Sequence, residues 1–316
     1  MGSRGGIALS AAAVAVLYLA LVMLADGPSV WSHLAGLPAG TAALLLTLPT
    51  LGFLIRFVRW DAFLVELGHR LPKVLHGRIY FAGFALTTTP GKVGENLRAV
   101  FLRRHGVSPV VAIGAFVAER LGDLVAMVLL AGLAVGLVEE YAGAVVLSTG
   151  ATLAGVLVLR SPAVAERLGT VSGPGRLAHG LRGAGRALDS ARRLLRIRWL
   201  VGGVGLALVA WGAEAFAFAV AARAVGVDID VPAAMGVFAL ATLLGAVSFL
   251  PGGVGPTEAV LGGVLVAQGG SLAEATAATV LIRAVTLWWA VLIGVVALTS
   301  LGGWGRITAA MPGRSG

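Results

Sequence analysis

Two glutamate–arginine pairs are the residues of this chain best suited to chemistry. Glu95 precedes Arg120, and Glu258 precedes Arg283, by the same 25 residues. Each pair follows a glycine-rich turn, Pro90-Gly91-Lys92-Val93-Gly94 in the first case and Pro251-Gly252-Gly253-Val254-Gly255-Pro256-Thr257 in the second. Counted from the glutamate, glycine recurs at +11 (Gly106, Gly269) and serine at +13 (Ser108, Ser271), with one gap at Pro256-Thr257. This is an internal duplication that places charge inside very apolar sequence. Arg98 shares a helical face with Glu95, and Glu119, Arg120 and Asp123 cluster within two turns. A guanidinium is a planar fork that donates two parallel hydrogen bonds to a phosphate or carboxylate. The chemistry on offer is therefore the holding of an anion, with carboxylates as counter-charges or proton carriers. The alternative is that Glu95–Arg120 and Glu258–Arg283 are ion pairs that only lock the turns.

The candidate substrate contacts are then Glu95, Arg98, Glu119, Arg120, Asp123, Glu258 and Arg283. The candidate hairpin residues are Pro90, Gly91, Gly94, Pro251, Gly252, Gly253 and Gly255, where glycine permits positive φ or close backbone approach and proline ends the preceding arm. Glu214, mid-way along an apolar run with no partner evident in sequence, is a candidate proton relay or simply faces the bundle. Arg56 and Arg59 sit where the second apolar run ends and read as snorkelling topology charges, with phosphate contact as the alternative.

The elements that must position these groups are helices in a bilayer. Of 316 residues, 58% are hydrophobic and 12% charged, with mean hydropathy +0.94; a soluble domain carries roughly 25% charged residues. Apolar runs near 7–25, 41–58, 110–138, 141–159, 199–222 and 273–300 are each long enough to cross a hydrocarbon core of roughly 30 Å. The first reads as a retained span, not a signal peptide. Runs 79–89 and 232–250 instead meet the glycine-rich turns and are followed by short apolar stretches at 97–102 and 259–267. That pattern predicts re-entrant hairpins. The expected fold is an all-α polytopic membrane protein with about six transmembrane helices and two re-entrant hairpins. It forms one domain over 1–305, with halves of about 1–138 and 141–300, a basic loop at 160–198 and a short basic tail at 306–316.

Charge placement sets the expected orientation. Twenty-one of the 24 Lys and Arg lie on one set of loops, nine of them between Arg160 and Arg198. The opposite loops carry Asp26, Glu139, Glu140, Asp228 and Asp230. The positive-inside rule then puts both termini in the cytoplasm and turns the two hairpins upside down relative to each other, an inverted-topology repeat. Residues 181–198 could form an amphipathic helix on an anionic leaflet, or their arginines merely enforce topology. The net charge of +9 belongs to these loops, so no nucleic-acid partner is expected.

Covalent and cofactor chemistry find no support. Cysteine is absent, the five histidines make no metal-ligand spacing, and no nucleotide, nucleophile-elbow or zinc-protease motif occurs. Neither a cofactor nor a metal is expected, nor an enzymatic activity. The two turns, Glu119-Arg120 with Asp123, Glu258 and Arg283 together resemble the lysylphosphatidylglycerol synthase transmembrane-region family over nearly the whole chain. The resemblance implies movement of a lipid between leaflets. The soluble aminoacyl-transferase domain of larger members has no counterpart here, so synthase activity is not implied. The expectation is a flippase-like translocase of the plasma membrane acting on an anionic or polyprenyl-linked lipid. A lipid- or glycan-modifying membrane enzyme and an accessory subunit of a lipid-synthesis complex are the alternatives. A homodimer and lipid- or glycan-synthesis proteins remain open as partners.

Overall fold

A computed structural model describes residues 26–89, 94–134, 142–172 and 175–302. The first apolar run at 7–25, Pro90 and Gly91 of the first turn, and the basic tail lie outside the described residues. Within them the chain is all-helical, with no β-strand. After a short α1 (Gly27–Ala35) come α2 (Ala39–Glu66), α3 (Lys73–Ala82), α4 (Leu97–Arg103), α5 (Pro109–Ala131), α6 (Ala142–Arg160), α7 (Pro162–Gly169) and α8 (Arg176–Leu194). The second half contributes α9 (Ile197–Ala224), α10 (Val231–Val247), α11 (Pro256–Ala267), α12 (Leu272–Arg283) and α13 (Trp289–Ser300). A π-helical turn, Ala284–Trp288, joins α12 to α13.

Three of these are long and apolar enough to cross a membrane: α2, α9 and the continuous run Leu272–Ser300. A fourth is obtained if α6 and α7, bent by 59°, count as one broken span. The 23-residue α5 is roughly 35 Å long, sufficient to span, and carries Glu119, Arg120 and Asp123 inside it.

Both predicted hairpins are present as broken helices. In the first, α3 runs into a 3-10 segment, Gly83–Leu86, and the chain returns as α4. In the second, α10 ends, a turn carries Gly252, Gly253 and Gly255 at φ of 65°, 67° and 100°, and α11 returns. Each hairpin closes on a glycine of its first arm. A Cβ on Gly83 would lie 2.8 Å from the Glu95 carbonyl, and one on Gly245 would overlap the Thr257 hydroxyl. Gly94 does not adopt positive φ. It is required because a Cβ would lie 2.6 Å from Leu86 Cβ and 2.7 Å from Thr89 Oγ1. The second turn touches the first hairpin: the Gly252 amide donates to the Thr88 carbonyl at 2.8 Å.

The duplication runs further upstream than the sequence reading placed it. Helices α2 and α9 are both 28 residues long, and both end at a glycine with positive φ, Gly68 and Gly226. The closing hydrogen bonds match at an offset of 158 residues: His69 N–H to Leu64 O, and Val227 N–H to Ala222 O. Downstream the offset is 163. Val107 N–H donates to Leu102 O and Gly270 N–H to Leu265 O, while Ser108 and Ser271 each cap the helix that carries the equivalent arginine. The two halves interlock. Gly294 of α13 lies against the Phe84–Ala85 backbone of the first hairpin, and Gly236 of α10 lies against Ala134 just beyond α5. Each half's last helix therefore braces the other half's hairpin.

Candidate functional site

Broken hairpins place helix ends and charged side chains where a continuous helix would place apolar ones. Between the two hairpins and helices α2, α5, α9 and α12 lies a cavity of about 410 Å³. Its wall brings together Glu95, Arg120 and Asp123 from the first half with Glu214 and Arg283 from the second. Gly252 and Gly253 of the second turn also line it. Arg98, Glu119 and Glu258 do not; they lie immediately behind the wall.

Both predicted ion pairs exist, and they differ in kind. Arg283 Nε meets Glu258 Oε1 at 2.8 Å, and its Nη2 donates to the Gly252 carbonyl at 2.6 Å. Glu258 Oε2 accepts the Gly255 amide at 2.6 Å, so the pair ties α12 to the turn at both ends. Arg120 is held more loosely. It lies 2.9 Å from Asp123, 3.6 Å from Glu119 and 3.8 Å from Glu95, and its Nε has no hydrogen-bond partner. Its side chain is 20% exposed, toward the cavity it lines. Glu95 is fixed by the Thr87 hydroxyl at 2.8 Å.

Glu119 is the hub behind the wall. It is fully buried and receives Arg98 at 2.5 Å, the Tyr80 hydroxyl at 3.0 Å and Arg59 at 3.7 Å. Arg98 stacks 3.8 Å above the Trp60 ring. Trp60 in turn donates to His76 Nε2 at 3.0 Å, and His76 Nδ1 lies 2.8 Å from Asp61. These links fix the first hairpin to α2.

Arg56 and Arg59 are not snorkelling charges. Helix α2 continues to Glu66, eight residues past the predicted end of the run, and carries both arginines into the bundle. Arg59 bonds Asp123 at 2.6 Å and the Gly203 carbonyl of α9 at 3.3 Å. Arg56 pairs with Glu214, the partner the sequence did not supply, and lines the cavity. One sequence signal did point there: Arg56 and Glu214 each lie twelve residues before a helix-ending glycine, Gly68 and Gly226. Among the described residues the ion-pair network around the cavity joins five arginines (Arg56, Arg59, Arg98, Arg120, Arg283) to five carboxylates (Glu95, Glu119, Asp123, Glu214, Glu258), while the buried Asp61 pairs outside it with Lys73 and His76.

The remaining wall is apolar or hydroxylic. Val247, Phe249 and Leu250 line the cavity and are exposed, Phe249 at 70% and with φ of 54°. The hydroxyls of Thr242, Thr257 and Thr286 donate to backbone carbonyls of their own helices or turn, which leaves oxygen lone pairs as acceptors for a visitor. Among the described residues no group of three His, Asp or Glu is placed to hold a metal ion. The arrangement can desolvate a small polar group, offer it guanidinium donors from two sides, and leave apolar substituents at the exposed edge.

The family model of the lysylphosphatidylglycerol synthase transmembrane region matches residues 6–294. The chain belongs to the lysylphosphatidylglycerol synthase transmembrane-region family. A comparison with curated proteins returned no match. Within this family member, both hairpins, both paired arginines and the α2–α9 crossing fall inside the matched span. The chain is an integral membrane protein, tied by its family to lipid handling.

Proposed function

We propose that the protein is a lipid translocase that moves an anionic or polyprenyl-linked lipid between leaflets without covalent chemistry. The observation that carries this reading is that Arg120 and Arg283, equivalent residues of two inverted halves, line one cavity. A volume of about 410 Å³ suits a headgroup, not a whole lipid. The exposed apolar edge at Val247, Phe249 and Leu250 gives acyl or prenyl chains a place outside the cavity while the headgroup is inside. Arginine suits phosphate through its bidentate fork. Rocking of one half against the other would then present the same site to either leaflet. The basic loops favour a plasma-membrane orientation with both termini cytoplasmic.

The test is leaflet exchange in vesicles reconstituted with the purified protein, across fluorescent lipids with anionic, zwitterionic and polyprenyl-phosphate headgroups. The expected result is exchange faster than in empty vesicles for at least one phosphate-bearing anionic lipid. Exchange no faster than in empty vesicles across the whole panel would overturn the proposal.

A further inference from the structure

The helices α2 and α9 are not only equivalent; they cross at equivalent residues. Gly52 lies against the carbonyl of Ala210, its own counterpart at the 158-residue offset. Further along, Arg59 and Phe63 lie against Gly203, so the helices run antiparallel. Two antiparallel helices that touch at matching points are related by a twofold axis through the contact. Phe53 and Trp211, the next matching pair, both face the Arg56 guanidinium, with ring centroids 5.1 and 4.5 Å away. Three residues on, the match breaks chemically. One half carries Arg56 where the other carries Glu214, and the two pair with each other beside the axis.

This geometry gives Arg56 a place that neither Arg120 nor Arg283 has. When an inverted repeat alternates, its halves exchange conformations, so Arg120 and Arg283 exchange surroundings while a group beside the axis stays between them. A phosphate leaving one arginine for the other must lose water on the way, which is costly unless a cation is stationed in between. Arg56 is 95% buried, since 5% of its surface is exposed, and it lines the cavity. Its Nε has no hydrogen-bond partner. Aromatic faces from both halves stabilise the cation without using up its N–H donors. Arg59 and Arg98, by contrast, stand behind the wall on Asp123 and Glu119.

We propose that Arg56 is a headgroup contact: the station beside the axis at which a lipid phosphate passes between Arg120 and Arg283, with Glu214 as the counter-charge it displaces. This rests on the translocase reading.

The full-length protein in detergent is melted with diheptanoyl phosphatidylglycerol as probe and with glycerol 3-phosphate at equal concentration. Exchange of a fluorescent phosphatidylglycerol is measured in vesicles. Wild type is compared with Arg56→Lys and with the double variant Arg56→Gln/Glu214→Gln. Lysine keeps the ion pair to Glu214 but loses the planar fork, so a purely structural pair would leave binding and exchange intact. The expected result is a melting shift with the lipid and much less with glycerol 3-phosphate, and at least about a tenfold loss of apparent affinity and exchange rate in Arg56→Lys. The double variant should fold and show neither shift nor exchange. A wild type that shifts, with Arg56→Lys or the folded double variant shifting and exchanging equally, overturns the assignment of Arg56 alone. An equal shift with glycerol 3-phosphate overturns the lipid as its ligand. A wild type that neither shifts nor exchanges with phosphatidylglycerol overturns this assignment, and one that exchanges no lipid of the whole headgroup panel overturns the translocase reading as well.

Discussion

The two equivalent ion pairs should respond unequally to neutralisation. Glu258→Gln removes the charge that faces Arg283 at 2.8 Å, in a site where the Glu258 side chain is 4% and the Arg283 side chain 11% exposed. Stripping one partner from a buried pair costs about 3–5 kcal/mol, because the other charge stays desolvated. Glu95→Gln should cost only about 1 kcal/mol. Arg120 keeps Asp123 at 2.9 Å and Glu119 at 3.6 Å, and glutamine can still accept the Thr87 hydroxyl that Glu95 accepts now. Adding Arg283→Gln to Glu258→Gln should restore most of the lost stability, since the positive charge that faced Glu258 is then gone as well and the amide of residue 258 can still accept the Gly255 N–H. The same double variant should have lost leaflet exchange, because its half no longer offers a guanidinium to the cavity. The assay is a double-mutant cycle measured by thermal melting in detergent and by lipid exchange in vesicles. Equal costs for Glu95→Gln and Glu258→Gln would refute the argument from shared counter-charges. Normal exchange in the folded double variant would refute Arg283 as a headgroup ligand.

Other variants probe the frame around the site. Gly294→Val should destabilise by about 1–3 kcal/mol or more, read by melting, because its Cβ would overlap the Ala85 backbone of the first hairpin. Gly252→Val, at φ 65° and ψ 10°, should cost about 1–2 kcal/mol in the same assay, and Gly255→Val, at φ 100° and ψ −77° outside the left-handed helical region, should cost more. Ser108→Ala and Ser271→Ala should each cost about 0.5–2 kcal/mol, with similar values for the two caps, since they hold equivalent helices. Cysteines at Ser172 and Asp228 in this cysteine-free chain should label from opposite sides of sealed vesicles; labelling from one side would contradict the inverted orientation.

The parts legible in sequence were those that leave a local trace. Glu95–Arg120 and Glu258–Arg283 were found by spacing alone, because duplicated helices of equal length keep their register. Gly252 and Gly255 were found because positive φ selects glycine. Arg56 and Arg59 were misread because hydropathy reports transfer to lipid, and a run of apolar residues ends where charges begin. Burial inside a bundle obeys a different condition, a partner within reach, and those partners, Glu214 and Asp123, lie 158 and 64 residues away. The basic segment after Arg160 was read as a leaflet-facing helix or a set of topology charges. Its small residues could not reveal that Ala187 and Ser190 of α8 pack on Gly114 of α5, since packing of this kind depends on two sequences at once.

The equality of five arginines and five carboxylates in the ion-pair network around the cavity bears on energetics. Displacing charge through a membrane potential involves about 2.3 kcal/mol per elementary charge per 100 mV. The first half carries four of these arginines and three of the carboxylates, the second one and two, so rocking moves opposite unit charges past each other within a network of zero net charge. Over a complete cycle the protein returns to its starting state, so under the proposed function the voltage sets the transport equilibrium only through the charge the headgroup carries. A lipid of net charge −1 would be driven toward the positive side, one of net charge +1 toward the negative side, and a zwitterion would equilibrate indifferently to the potential. The direction of net transport would then be set by the cargo's valence and by the difference in its concentration between the leaflets.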